Sequence, residues 1–114
     1  IGGRGGLEMT DVLRIGCRGL VLAPDIAPVA ARIFDLWQAG NREGAEAVYA
    51  AALPASTFVM QSLEHLITYG KRIFGENAGI AIHDRAPCLP VQPIGLSIAQ
   101  QWAETLSRLQ KERT

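Results

Sequence analysis

Apolar residues along this chain recur in two rhythms, and each predicts a different element. From Ile1 to Asp25 the order is an apolar residue, a run of glycines, a short helical pattern and an unbroken apolar block. Ile1-Gly2-Gly3 reads as the end of a strand. Gly2, Gly3, Gly5 and Gly6 let the backbone take positive φ and come close to a ligand. Thr10 or Asp11 is the expected cap of a helix with Val12, Leu13 and Ile15 on its apolar side, ended by Gly16. Leu20-Val21-Leu22-Ala23, between Gly19 and Pro24, predicts a strand buried on both faces. Strand, helix and strand in this order form a crossover, which makes two parallel neighbours in a sheet.

Past Pro24 the spacing becomes three and four. Asp25 is the expected cap of a helix with Pro28 in its first turn. Ile26, Val29, Ala30, Ile33, Phe34 and Trp37 form its apolar face, and Gly40 ends it. Asn41 caps the next helix, which carries Ala45, Val48, Tyr49, Ala52 and Leu53 until Pro54 breaks or kinks it. Ser56 or Thr57 restarts the pattern through Phe58, Val59, Leu63, Leu66 and Ile67. Gly70 is a weak point, and Gly75 ends the run. Ile80-Ala81-Ile82 reads as briefly extended, and Pro87, Pro90 and Pro93 exclude a helix around them. Ser97 caps a last helix with Ile98, Trp102, Leu106 and Leu109 on one side. Lys111 to Thr114 reads as a solvated tail. The fold class is therefore mostly α with one β-α-β unit. The sheet that this unit needs is largely missing, so the chain reads as the C-terminal piece of something larger. Its start, an apolar residue without Met running into glycines, reads as a cut strand.

Composition narrows the class. In 114 residues, 48% apolar and 19% charged, a folded chain is favoured over a disordered one. Eleven basic and eleven acidic residues cancel. A neutral chain lacks the electrostatic footprint of a nucleic-acid or anionic-membrane binder, so neither partner is expected. No apolar run reaches the ~18 residues of a membrane span, and no signal peptide is visible. Cys17 and Cys88 read as two buried or idle thiols in a reducing, cytoplasmic setting.

Candidate chemistry is sparse. Gly2-Gly3-Arg4-Gly5-Gly6 before a helix resembles an anion cradle, with free N–H groups and one cation. It matches neither the dinucleotide fingerprint nor the Walker loop. A turn shaped by geometry, or by a carboxylate-bearing ligand, is the better reading. Glu8 is read chiefly as favouring the helix dipole, with a substrate hydroxyl as its alternative partner. His65 and His83 share no ligand spacing with cysteine or carboxylate, so no metal site is expected. His65 is placed at the edge of a helix face, and Asp84-Arg85 reads as a surface ion pair. Lys71 has the chemistry for a Schiff base with a keto acid. A barrel enzyme draws its catalytic groups from strand ends, so on a helix Lys71 reads as a surface residue.

The order of these pieces resembles the C-terminal part of the dihydrodipicolinate synthase / N-acetylneuraminate lyase family of class I aldolases. The residues concerned are the Gly-rich turn and Leu-Arg-Ile-Gly-Cys-Arg-Gly-Leu-Val-Leu at 13–22. Asp25-Ile26-Ala27-Pro28 is similar to the family's Asn-x-x-Pro. Leu36-Trp37-Gln38-Ala39-Gly40-Asn41, with Ala45 and Tyr49, is similar to its helix junction. Leu53-Pro54, Lys71 and Arg85-Ala86-Pro87 follow in the family's order. The likeness runs over nearly the whole chain.

That resemblance implies a fragment of a (β/α)8 TIM barrel. Residues 1–39 would be its last two strands and eighth helix, and residues 40–114 its C-terminal helical extension. It also implies a lyase in which a strand-six lysine condenses with pyruvate or another 2-keto acid, helped by a strand-five tyrosine. Neither has a counterpart here, so no catalytic residue and no cofactor is expected in this chain, which would be inactive alone. What carries over is the rim of the site. Gly3, Arg4 and Gly5 match the substrate-facing turn after strand seven, and Val21 and Leu22 match the strand-eight backbone beside the keto acid. The implied partners are a small 2-keto acid or sugar acid, the rest of the barrel, and further copies in a homo-oligomer. Arg4-Gly5-Gly6 stands where many members have Gly-Asp-Asp or Gly-Ser, closer to the sugar-acid lyase and dehydratase branches. Asp25 stands where Asn is common. The alternative from a different class is a self-contained helical protein-interaction module, whose first 24 residues pair with a partner.

Overall fold

Helices account for nearly all the regular structure of this chain in a computed structural model that describes residues 2–86 and 88–111. They are α1 (Met9–Arg14), α2 (Ala27–Gln38), α3 (Arg42–Val59), α4 (Leu63–His65), α5 (Lys71–Ala78) and α6 (Pro93–Lys111). A 3-10 turn, Arg4–Gly6, precedes α1, and a π-turn, Leu66–Gly70, joins α4 to α5. The chain is mostly α.

The crossover forms in its shortest version. Gly2 and Leu20 make an isolated parallel bridge. The Gly2 N–H donates to the Gly19 carbonyl at 3.0 Å, and the Val21 N–H donates to the Gly2 carbonyl at 2.8 Å. The expected strand Leu20–Ala23 does not extend beyond this bridge, and Val21 is 68% exposed. Two short segments with no third strand beside them among the described residues cannot hold a longer ladder in water. The expected strand end at Ile1 lies outside the described residues.

One apolar core runs from Met9 and Leu13 in α1 to Leu106 and Leu109 in α6. From α2 it takes Val29, Ala30, Ile33 and Trp37, most of the face that the spacing predicts. A fully buried Ile or Val such as Ile33 or Val29 stabilises the fold by about 1.5–3 kcal/mol. Arg32 ties α2 to the last turns of α6 by donating to the Leu109 carbonyl. Asn41 caps α3 as expected: its Oδ1 accepts the Gly44 N–H at 2.9 Å. Gly40, at φ 85°, makes the left-handed step between α2 and α3.

Several boundaries differ from the sequence expectation. α1 starts behind Glu8, not behind Thr10 or Asp11, and Thr10 is buried inside it. α2 starts behind Ile26 with no side-chain cap, and Asp25 turns inward instead of capping. α3 does not break at Pro54. The carbonyl that Pro54 leaves without a donor belongs to Ala50, and both residues are exposed, so water can take the missing partner's place. The pattern restarts later than Ser56 or Thr57, at Ser62, whose Oγ accepts the His65 N–H at 3.0 Å. α5 runs through Gly75 to Ala78 and closes on Gly79 at φ 71°. α6 starts at Pro93, not at Ser97, because a proline is well suited to a helix's first position. Gly70, expected to be a weak point, is the buried last residue of the π-turn, with right-handed helical dihedrals and packed against Leu66 and Val59. Among the described residues, no helix is long and apolar enough to cross a membrane.

Candidate functional site

The turn between Gly2 and α1 is built by three consecutive residues with positive φ: Arg4 at 58°, Gly5 at 64° and Gly6 at 82°. Glycine takes this conformation freely, whereas a residue with a Cβ is strained there. Arg4 is the one non-glycine with positive φ among the described residues. Strain of this kind persists where the surroundings over-determine it, and it concentrates at functional sites. Arg4 is exposed and ion-paired to Glu8, which also stands at the start of α1. The pair gives Glu8 a partner beyond the helix dipole.

Of the expected rim residues, the structure places Gly3 beside Val21, whereas Gly5 packs on Met60 and Leu22 lies beside Gly6. A side chain at Gly3 would begin 3.8 Å from the Val21 carbonyl. A side chain at Gly6 would begin 3.3 Å from Leu22 Cδ2. Gly3, Arg4 and Val21 are exposed, and Gly5 and Leu22 are half-buried. The glycines divide into two kinds. A Cβ at Gly2 would meet Val12 Cγ2 at 2.7 Å, and one at Gly6 would meet Met9 Cε at 2.8 Å, so these two are held by the chain's own packing. Gly3 leaves the backbone open to solvent.

As a phosphate cradle the turn is poorer than its glycines suggest. The Gly2, Gly6 and Leu7 N–H groups donate to the carbonyls of Gly19, Gly3 and Arg4. What remains is the Arg4 guanidinium with the Gly3, Arg4 and Gly5 N–H groups, which have no acceptor among the described residues, a setting suited to one carboxylate. Tyr49 on α3 braces the turn from behind, its hydroxyl donating to the Leu7 carbonyl. Burial, then the nearby Asp11 and Glu8 carboxylates, hold the Tyr49 phenol above its ordinary value.

The other candidates lie elsewhere. Lys71 is exposed on α5. Asp84 pairs with Arg72, not with Arg85: the guanidinium donates to its two carboxylate oxygens at 2.9 and 2.7 Å. Arg72 also donates to the Thr68 carbonyl at 2.8 Å. His65 is half-buried, with its ring centroid 4.6 Å from that of Phe58 and 4.7 Å from that of Tyr69, and its Nδ1 has no hydrogen-bond partner. Cys17 and Cys88 are free thiols, half-buried and exposed respectively.

Sequence reasoning missed one group. Asp25 is 5% exposed, and its Oδ1 has no hydrogen-bond partner. Burial raises its carboxyl from 3.8 to about 6, against a smaller opposing hydrogen bond from backbone. A polar residue ahead of a helix normally caps it in water, and nothing local marks this one as turned inward. Comparison with protein-family models, with curated proteins and with solved structures gives no match.

Proposed function

We propose that this chain is the C-terminal portion of a Schiff-base lyase acting on pyruvate or another 2-keto acid, of the dihydrodipicolinate synthase type. In this reading it closes a (β/α)8 barrel and supplies one rim of the site. The observation that carries the reading is the parallel bridge between Gly2 and Leu20 across α1. A parallel pair needs further strands and cover on both faces. Among the described residues this pair is the one bridge, and Ile15 and Val21 of the crossover are exposed. Apolar side chains left open on a crossover fit a surface that meets more sheet. Arg4 would hold the keto acid's carboxylate, and Val21 and Leu22 would border its carbon chain. The amine that forms the Schiff base comes from the rest of the barrel, and the assembled enzyme is a homo-oligomer.

The test is borohydride trapping with pyruvate. It is run on the chain alone and on the chain joined to strands one to six of a family member. An adduct on the barrel lysine of the joined protein, and none on the chain alone, is expected. Trapping on the chain alone, or in neither, overturns the reading.

One observation favours the alternative, a self-contained helical interaction module: a single core links α1 to α6. That reading requires a soluble monomer with one cooperative thermal transition, and no adduct in the joined protein.

A further inference from the structure

At the end of α1 opposite the glycine turn lies a cleft of about 690 Å³. Arg14, Arg18 and Arg42 line it, and no carboxylate does. Arg14 is already engaged, by Glu46 and by Asp11 at 3.7 Å. Arg18 and Arg42 are exposed, and neither makes an ion pair among the described residues. The Arg42 guanidinium lies over the Trp37 ring, 4.7 Å from its centroid. Trp37, which also lines the cleft, is buried, and Phe34 is half-buried beside it. The chain as a whole is neutral, so two unpaired cations on one cleft are a local excess of positive charge.

We propose that this cleft binds a small organic phosphate monoester, its phosphate held by Arg18 and Arg42 and its apolar body lying against Phe34. A guanidinium is a planar fork of N–H donors that fits phosphate oxygens in paired bonds. Contact with the Trp37 ring holds the Arg42 guanidinium at the cleft without using those donors. A cation placed in advance loses less freedom when its ligand arrives. Two unpaired guanidinium charges match the roughly two negative charges of a phosphate monoester near neutral pH better than the single charge of a carboxylate. The volume is that of a small-molecule pocket, more than inorganic phosphate alone would fill. A metal ion does not suit it, because the lining offers no carboxylate. The site does not depend on the keto-acid reading: Arg4 lies ahead of α1 and this cleft behind it.

The test titrates the isotope-labelled chain with phenyl phosphate, against sodium chloride at equal ionic strength. The indole N–H signal of Trp37 is expected to shift saturably, whereas that of Trp102, outside the cleft, stays in place. Benzoate, inorganic phosphate and benzyl alcohol each lack one part of the ligand and should each bind roughly tenfold more weakly or worse. Arg18→Gln and Arg42→Gln, both at exposed positions, should each weaken phenyl phosphate binding by a similar factor, about the worth of one charged hydrogen bond. Gln38→Glu, at an exposed position in the lining, sets a carboxylate beside the arginines and competes. Arg108→Gln, exposed and outside the cleft, leaves binding unchanged. A shift that sodium chloride reproduces, undiminished binding in Arg18→Gln, Arg42→Gln or Gln38→Glu, an equal loss in Arg108→Gln, or equal affinity for any of the three partial ligands would each overturn the proposal.

Discussion

The Tyr69 hydroxyl accepts the backbone N–H of Gln92 at 3.0 Å, and this bond seats the start of α6 on the π-turn. The Gln92 carbonyl accepts the first helical bond of α6, from Leu96 at 2.9 Å. Gly95, one turn in, leaves room for the phenol: a Cβ there would lie 2.2 Å from Tyr69 Oη. Tyr69→Phe is expected to cost about 1 kcal/mol, the usual worth of one such bond. Gly95→Ala should cost more, about 1–3 kcal/mol, despite alanine's better helix propensity, because the ring has to move. Urea unfolding of both variants checks the order. A Gly95→Ala chain as stable as the parent would show that α6 is not seated this way.

Asp25 makes stability depend on pH with a definite sign. The folded chain holds the proton up to about pH 6, whereas the unfolded chain releases it near 3.8. Between those values the folded state binds more protons, so stability falls as pH rises and then levels off. In Asp25→Asn this fall disappears. The stability difference between variant and parent should grow by about 3 kcal/mol across that window. Subtracting the two profiles removes the other carboxylates, including Asp84, whose hydrogen bonds from Arg72 hold it below its ordinary value and slope the other way. A flat difference profile would place Asp25 in water.

Asp84 anchors the irregular segment after α5 through both its oxygens. Asp84→Asn keeps the shape and weakens the grip. Trypsin should then cut after Arg85 several-fold faster, with little change in the thermal midpoint of the whole chain, since partly exposed ion pairs stabilise weakly. The companion Arg72→Gln should match it. Unequal cleavage of the two variants would mean that the pair does not act as a unit.

Arg4 is expected to reveal itself by a gain in stability. Arg4→Gly removes a side chain from a left-handed backbone, which should stabilise the chain by about 1 kcal/mol, since the exposed pair with Glu8 is worth little. In the chain joined to the rest of a barrel, the same change should weaken pyruvate binding. Stability that drops, or binding that stays, would separate the strained turn from the proposed rim.

Elements written by their own residues were legible. α2 shows its buried face in a spacing of three and four, and Gly40-Asn41 marks both the end of one helix and the cap of the next. The parallel crossover was legible too, because a glycine turn, a short helix and an apolar block leave few other arrangements. Signals that depend on a neighbour were not. Pro54 sits inside a helix because the carbonyl it deprives faces water, which is a matter of which side of α3 packs. The expected caps Thr10, Asp11 and Ser97 lie inside α1 and α6 instead of at their starts, because each helix begins earlier than its first capping residue. Asp84 lies beside Arg85 in sequence, yet the fold brings Arg72 to it from twelve residues away. Of the residues expected at the rim, Gly3 lies beside Val21 because the Gly2–Leu20 bridge holds those two segments together. Asp25 stayed hidden because burial of a single carboxyl leaves no periodic trace.

The π-turn at Leu66–Gly70 amounts to one residue more than a regular helix would hold. Each residue of an α-helix advances the face by about 100°, so this insertion sets the phase of everything that follows. Tyr69 and Ile73 point inward while Lys71 and Glu76 stay in solvent. Deleting a single residue there would leave the helix intact and hand the interior a different set of side chains. The inside and outside of α5 are thus written as much in a count as in a composition.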